Sequence, residues 1–219
     1  MKKIICILLF LINVLLLTSC GNSSVNGISS ATVSRYQKLE LRDYKGTRLD
    51  PSIGPRDNSI TGVQYVDIKT YKLKVSGLVE NPVSLAYADV TSLPSYEKLV
   101  TLHCVEGWDA TILWKGALIM DIIDKAKVKS NAVTVIFHCV DGYTTSLPLQ
   151  YIKDKNIILA YSSNGLALPP QLGYPFMVVA EDKLGYKWAR WVDQIELSSD
   201  TNYKGYWESN GYSNDANVN

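Results

Sequence analysis

The segment LVTLHCVEGW, residues 99–108, carries the pattern from which the fold can be inferred. Its apolar first part predicts a buried strand, and Gly107 predicts a turn directly after it. Because side chains alternate along a strand, Cys104 should share a face with Leu102 while His103 points away, which disfavours a Cys–His catalytic pair. A thiol at a strand end is a candidate metal ligand or nucleophile, and a small buried apolar side chain is the alternative.

The same pattern occurs a second time, around Cys139. HCVDGY at 138–143 repeats HCVEGW at 103–108, and we interpret the two as strands that end in similar turns. Three other interpretations stay open at this point. The cysteines could form a disulfide outside the cytoplasm, act together as a thiol redox pair, or join their histidines in a metal site. A disulfide would prevent Cys104 from binding a metal.

The N-terminus predicts export. Lys2 and Lys3 precede an apolar run that is too short for a membrane span, and LTSC, ending at Cys20, resembles the lipobox of bacterial lipoproteins. We predict a signal peptide over 1–19 and lipidation of Cys20, with an ordinary signal peptide as the alternative. Residues 20–32 are rich in Gly, Ser and Asn, which predicts a flexible tether. The protein should then lie at the outer face of the cytoplasmic membrane, or in the periplasm.

Charge excludes one class of partner. The chain has 22 basic and 21 acidic residues, and removal of Lys2 and Lys3 would leave 20 against 21, a net charge of −1. Nucleic acid is therefore not an expected partner.

The remaining chain predicts a single α+β domain on a mixed sheet. Strand patterns outnumber helical ones by roughly two to one. We expect the domain to span 33–197, beginning with an extended lead-in over 33–50. The other predicted segments are helices over 84–92 and 117–127, a strand over 187–192, and an irregular tail over 198–219 whose aromatic residues pack on the domain.

Four ordered segments resemble the molybdopterin-binding domain of the sulfite oxidase family, which also contains exported methionine-sulfoxide reductases. The resemblance covers roughly residues 55–197. It implies a sulfite-oxidase-type fold that is rich in β-sheet. The segments are HCVEGWDATILWKG (103–116), VDGYTTSLPL (140–149), LPPQLGYPF (168–176) and GYKWARWVDQIEL (185–197).

The resemblance also implies a cofactor and the residues around it. In this family a cysteine thiolate binds molybdenum together with the dithiolene of one pterin, and Cys104 aligns with that ligand. Soft thiolate suits a metal that changes redox state. Arg56 matches a substrate and catalytic arginine. The implied cofactor contacts are Asn58, Asp141, Tyr143, Gly185 and Lys187, with Lys187 at the pterin phosphate.

Three residues depart from the family pattern. Ser59 stands where the family's Arg–Asn–His sequence has its histidine. Leu172 and Met177 stand where many relatives have polar cofactor contacts. Either basic residues such as Lys183 and Arg190 compensate, or cofactor affinity is weakened. The second case would leave a surface-tethered binding module that has the same fold and no cofactor.

The main hypothesis is an exported molybdopterin-dependent oxidoreductase. It would transfer an oxygen atom to or from a small S-oxo or oxyanion substrate at a molybdenum centre bound by Cys104. The sequence has no C-x-x-C-H haem motif and no iron–sulfur cysteine set. Electrons should therefore pass to or from a separate electron-transfer partner, in the membrane or outside it.

Overall fold

A computed structural model describes residues 24–25, 28–54 and 57–218, and it contains two five-stranded sheets. The α+β prediction is confirmed. The strands are β1 (Ser24–Val25), β2 (Ile28–Ser29), β3 (Asp43–Tyr44), β4 (Thr47–Arg48), β5 (Leu73–Gly77), β6 (Val83–Leu85), β7 (Ser95–His103), β8 (Asp109–Leu118), β9 (Thr134–Cys139), β10 (Thr144–Pro148), β11 (Ile158–Ser163), β12 (Leu166–Ala167), β13 (Met177–Val178) and β14 (Val192–Ser198).

Short helices connect the strands. Three single turns of 3-10 helix lie at Asp124–Ala126, Pro170–Leu172 and Gly185–Lys187. No helix in the described ranges is both long enough and apolar enough to cross a membrane. The α-helices are α1 (Ser30–Leu39), α2 (Tyr87–Thr91), α3 (Ile119–Ile123), α4 (Leu149–Asp154) and α5 (Tyr206–Ser209).

The two large sheets differ in strand direction. The first has the order β10-β9-β14-β5-β6, in which β14 and β5 run parallel and the other neighbours antiparallel. The second has the order β12-β11-β8-β7, with β13 on β11, and is antiparallel throughout. The strand that precedes Cys104, β7, therefore lies at an edge, whereas the strand that ends at Cys139, β9, has neighbours on both sides.

One hydrophobic core joins the sheets. Phe137 and Ile195 of the first sheet and Trp114 of the second are fully buried in the same cluster. Helix α3 adds Ile119, Ile122 and Ile123 to this core, all completely buried. Burying one such side chain stabilises the fold by about 1.5–3 kcal/mol relative to leaving it exposed.

Several local predictions were wrong. The lead-in contains α1, capped by Ser29 through a hydrogen bond from the Thr32 N–H, so helix begins inside the expected tether. The predicted helix over 84–92 is divided between β6 and α2. The helix expected over 117–127 is shorter, because β8 continues to Leu118 and α3 then gives way to 3-10 helix.

The segment 187–192 is not a strand. Its alternation of Lys, Trp and Arg resembles a half-buried strand, yet Lys187, Trp188 and Trp191 are all buried. Trp191 has a φ of +52°, which breaks extended geometry. The chain is irregular here because these side chains are held by contacts in different directions.

Candidate active site

The turns after Cys104 and Cys139 have the same hydrogen bonds, as the repeated sequence predicts. The Cys104 N–H donates to the Trp108 carbonyl at 2.9 Å, and the Gly107 N–H donates to the Cys104 carbonyl at 3.0 Å. The equivalent distances at Cys139 are 3.0 and 2.9 Å. Gly107 and Gly142 have φ values of +82° and +84°, a left-handed conformation that favours glycine and that follows a type I turn in hairpins of this length.

A pocket opens beside the Cys104 turn. Its volume is about 740 Å³ when the open mouth is included. Loop residues, both hairpin turns, the 185–191 segment and the C-terminal segment all contribute to it. The lining residues are Asn58, Ser59, Ile60, Cys104, Val105, Glu106, Asp141, Tyr143, Gly185, Tyr186, Trp188, Arg190, Trp191, Trp207 and Tyr212.

Two polar groups lie beside the Cys104 sulfur. The Asn58 Nδ2 donates towards Sγ at 3.7 Å, and Glu106 Oε2 lies 4.0 Å from Sγ. Glu106 is held in place by the Trp108 indole N–H, which donates to the same carboxylate oxygen at 3.0 Å. His103 points the other way and pairs with Asp109 at 2.8 Å, so the predicted separation of His103 from the cysteine side chain is confirmed.

Arg190 supplies positive charge to the pocket. Its guanidinium donates to the Gln171 carbonyl at 3.1 Å and lies 3.8 Å from an Asp57 carboxylate oxygen. Burial lowers the pKa of Arg190, while the charges of Asp57 and of a Cys104 thiolate oppose that shift. Arginine stays protonated in proteins, so this cation faces the cysteine whatever the pH.

The second turn contributes Asp141 and Tyr143. The Asp141 carboxylate accepts a hydrogen bond from the Tyr143 N–H at 3.0 Å. Burial nevertheless raises its pKa, with Arg190 and the backbone opposing. Burial also raises the pKa of Tyr143, whose hydroxyl donates to the Tyr186 carbonyl. This bond ties the second turn to the segment around Gly185.

Lys187 is directed away from this pocket. Its Nζ lies 2.5 Å from Glu208 Oε1, 2.9 Å from Asn214 Oδ1 and 3.0 Å from the Ser146 carbonyl. Both charged side chains are buried, at 1% and 0% exposure. The structure therefore places Lys187 in an internal ion pair with the C-terminal segment, where the resemblance had suggested a phosphate contact.

Cys139 lies in the core, and neither cysteine of the described chain is in a disulfide. Burial is the largest cause that raises the Cys139 pKa well above its ordinary value, and the charges of Asp141 and Asp193 add to it. The described residues also contain no cluster of three or more His, Cys, Asp or Glu side chains that could hold a metal. These findings disfavour the disulfide, redox-pair and His/Cys-site interpretations.

The pocket brings together most of the residues singled out in the sequence. Cys104, Asn58, Asp141, Tyr143 and Gly185 all line it. Arg56 and Cys20 lie outside the described residues. Their assignments, and those of the lining residues, stay predictions.

Sequence reasoning missed other parts of the wall. Glu106 could have been found, because it occupies the turn position that Asp141 occupies in the repeat. Trp207 and Tyr212 carried no such signal, since they come from the tail and reach the pocket through tertiary packing. The departures Leu172 and Met177 are buried in the core at 1% and 0% exposure, outside the lining set.

Comparisons with known proteins identify the family of this chain. The family described as "oxidoreductase molybdopterin binding domain" matches residues 60–207. An uncharacterised oxidoreductase, YuiH of Bacillus subtilis, is 39% identical over 149 residues, covering 68% of this chain and 75% of that protein. The methionine-sulfoxide reductase catalytic subunit MsrP of Campylobacter jejuni is 26% identical, with 69% and 56% covered.

A solved structure shares the fold. The sulfane dehydrogenase SoxCD of Paracoccus pantotrophus aligns with a TM-score of 0.61 over 80% of this chain and 54% of that chain, at 17% identity. Sulfite oxidase of Rattus norvegicus is 27% identical, and the match covers 33% of its length. This chain therefore spans half or less of several of the proteins that it matches.

Proposed function

Because this chain belongs to the oxidoreductase molybdopterin-binding domain family, for which Mo-molybdopterin is the cofactor, we propose that Cys104 is the protein ligand to the metal. The position of Cys104 in the pocket wall, with Asn58 and Glu106 beside its sulfur, is the observation that carries this proposal. A thiolate is a soft ligand that suits a redox-active metal. The repeated turn offers a second cysteine, but Cys139 is not among the residues that line the pocket.

The pocket residues fit such a group. Ser59 Oγ is buried at the pocket wall and has no hydrogen-bond partner among the described residues, an arrangement that a bound polar group would satisfy. Arg190 can offset part of the negative charge of a pterin phosphate and of a thiolate. Asn58, Asp141 and Tyr143 add side-chain donors and acceptors to the same wall. Gly185 packs against the end of β7, where a Cβ on it would lie 3.4 Å from the His103 carbonyl oxygen.

When bound, the cofactor supplies two-electron oxygen-atom transfer. For an S-oxide substrate the S–O bond breaks, sulfur gains two electrons, and the oxygen leaves as water with two protons. For an oxyanion such as sulfite the direction is reversed, with water as the oxygen source. A separate electron-transfer partner supplies or accepts the electrons in each case.

This chain's own residues place and polarise the reacting groups. The Asn58 amide stabilises negative charge on the Cys104 sulfur by donating a hydrogen bond to it. Glu106, fixed by Trp108, keeps a carboxylate near that sulfur. Arg190 faces the same space and attracts a substrate oxygen that carries partial negative charge. Arg56 is proposed as a further substrate contact.

Metal and pterin analysis tests the proposal. The protein would be produced in a host that makes molybdopterin, and its other molybdoenzymes would serve as the loading control. We expect close to one molybdenum per chain in the wild type and loss of metal or activity in Cys104→Ser. An empty wild-type protein beside fully loaded host enzymes would contradict the proposal. It would favour a cofactor-free binding module, whose partner binding should survive the Cys104 substitution.

We also propose export and lipid anchoring. A signal peptide over 1–19, lipid on Cys20 and a tether from Cys20 towards α1 would hold the domain, from about residue 33 to 197 with its tail, at the outer face of the membrane. An electron-transfer partner in or near that membrane would then be within reach. Labelling with a radioactive fatty acid tests this proposal. Cys20→Ala should abolish incorporation of the label, and the control Cys6→Ala should retain it. Loss of the label in Cys6→Ala would show that Cys20 is not the anchor.

A further inference from the structure

The C-terminal segment 203–218, here called the strap, crosses the pocket and is fixed at both ends. At one end Glu208 accepts hydrogen bonds from Lys187 Nζ at 2.5 Å and from Thr145 Oγ1 at 2.6 Å. At the other end the Leu184 N–H donates to the Ala216 carbonyl at 2.8 Å. The residues between these two anchors are therefore held in one position beside the pocket.

Close backbone packing supports the first anchor. A Cβ on Gly205 would lie 2.1 Å from the Thr144 carbonyl oxygen, so no other residue fits there without displacement of the strap. Thr144 and Thr145 belong to β10 of the second hairpin. The strap is thus packed on the sheet that ends in the Cys139 turn, while its aromatic side chains reach the pocket beside the Cys104 turn.

The strap supplies an aromatic wall. Trp207 and Tyr212 line the pocket, and their rings lie 5.2 Å apart. Tyr212 also contacts Tyr186, edge to face, with 5.2 Å between ring centroids. Rings that pack on one another in this way form a rigid apolar surface. The family match ends at residue 207, so Glu208 and Tyr212 belong to a part of this chain that the match does not include.

The described part of the lining has two acidic side chains and one basic one, and Arg56 is proposed as a second cation. Glu106 and Asp141 are acidic, and among the described lining residues Arg190 is the basic one. Arg190 already lies 3.8 Å from Asp57, and a bound pterin phosphate adds negative charge. Like charges repel strongly where water is excluded. An uncharged polar group meets no such repulsion, and aromatic rings make favourable contacts with sulfur.

We propose that Trp207 and Tyr212 of the strap determine substrate specificity, favouring an uncharged S-oxide with an apolar substituent over a small oxyanion such as sulfite. The proposal rests on the proposed function, because it concerns the substrate of the same site. The apolar substituent packs on the two rings, and the S–O group faces Cys104 and Arg190. Reduction by two electrons from the donor and two protons yields the thioether and water.

Steady-state kinetics test the proposal in molybdenum-loaded protein, with reduced benzyl viologen as electron donor. We expect wild type to prefer methyl phenyl sulfoxide to dimethyl sulfoxide. Trp207→Ala should lower the ratio of their kcat/KM values about tenfold, mainly through a higher KM for the aryl substrate. Trp207→Phe should restore most of the ratio. Tyr96→Ala, at an exposed tyrosine on β7 away from the pocket, is the matched control and should leave the ratio unchanged.

The outcomes separate the two proposals. An unchanged ratio in Trp207→Ala would overturn the specificity proposal and leave the proposed function intact. So would a higher kcat/KM for sulfite, measured with ferricyanide as electron acceptor, than for either sulfoxide. If Trp207→Ala fails to fold, Trp207→Leu takes its place, because leucine keeps an apolar side chain at the wall.

If the purified protein holds no molybdenum, a fluorescence titration with methyl phenyl sulfoxide decides instead. If the sulfoxide quenches tryptophan fluorescence in wild type and not in Trp207→Phe, the result supports contact between the sulfoxide and Trp207. Equal quenching in both proteins overturns the specificity proposal.

Discussion

The Cys104 and Cys139 turns have matching sequences and matching hydrogen bonds, but the surroundings of their sulfur atoms differ. The exposed fractions are nearly equal, at 7% and 6%, so burial alone does not distinguish them. Cys104 directly follows β7, an edge strand, and lines a pocket. Cys139 ends β9, which is flanked by β10 and β14, and the Val140 N–H is bonded to the Trp191 carbonyl.

The two sulfurs therefore differ in sheet position and in access to the pocket, although the motif is the same. Beyond β8, the described part of β7 makes an isolated bridge between His103 and Leu184, whereas β9 has a strand on each side. The second turn contributes to the pocket through Asp141 and Tyr143, which follow its cysteine. The turn after β7 thus contributes the Cys104 sulfur to the pocket. The β9–β10 hairpin contributes Asp141 and Tyr143 to the pocket lining, and the strap packs on its strand β10.

Replacement of each cysteine by serine, one at a time, should give the largest difference in kcat between variants. Cys104→Ser is expected to lower kcat by at least about 10⁴-fold, the order of loss seen when the group on which the chemistry depends is removed. Cys139→Ser should keep wild-type kcat. The assay is sulfoxide reduction per mole of folded protein. Equal losses in both variants would show that the two turns do not differ in function.

The buried ion pair between Lys187 and Glu208, which anchors the strap, should have the next largest effect. Lys187→Met leaves the Glu208 carboxylate buried without its cation, and we expect the free energy of unfolding to fall by about 3–5 kcal/mol. Lys155→Met is the matched control, because its 2.6 Å pair with Asp182 is exposed and exposed ion pairs contribute little to stability. Urea unfolding measures both. Similar values for the two variants would contradict the anchoring role.

The amide beside the reactive sulfur should have a smaller effect. Asn58→Ala removes the donor that lies 3.7 Å from Cys104 Sγ, and we expect kcat to fall about tenfold with molybdenum content unchanged, as for other groups that support a metal ligand. Asn131→Ala changes an exposed asparagine elsewhere and should have no effect. A kcat in Asn58→Ala within twofold of the wild-type value would contradict a supporting role of Asn58 beside the Cys104 sulfur.

The smallest effect concerns the thiol in the core. Cys139→Ala should cost about 1 kcal/mol at pH 7, through lost packing. Because burial raises the Cys139 pKa, the folded state disfavours the thiolate. The stability of wild type should therefore decline relative to the variant as pH rises above about 8.5, the ordinary cysteine pKa. Urea unfolding between pH 7 and 10 measures the difference in free energy of unfolding between wild type and Cys139→Ala. A difference that does not narrow as the pH rises would contradict a raised Cys139 pKa.

Local patterns predicted the class of fold and the centre of the site. Strand alternation and the repeated glycine turns predicted the strands that lead to the two cysteines, but β8, the return strand after Cys104, was not predicted. The resemblance predicted the pocket lining at Asn58, Asp141 and Tyr143. Lys187 illustrates what a local pattern cannot supply. Its partner Glu208 is 21 residues away, and nothing in the sequence between them indicates that the two charges meet. The helix α1 was missed because its few apolar residues give a weak helical pattern.

The sulfur content of the molybdenum site tests the central claim most directly. X-ray absorption spectroscopy at the molybdenum edge counts the sulfur atoms bound to the metal. The account predicts that Cys104→Ser loses one sulfur ligand relative to wild type and that Cys139→Ser loses none. An unchanged sulfur count in Cys104→Ser, or a loss in Cys139→Ser, would contradict it.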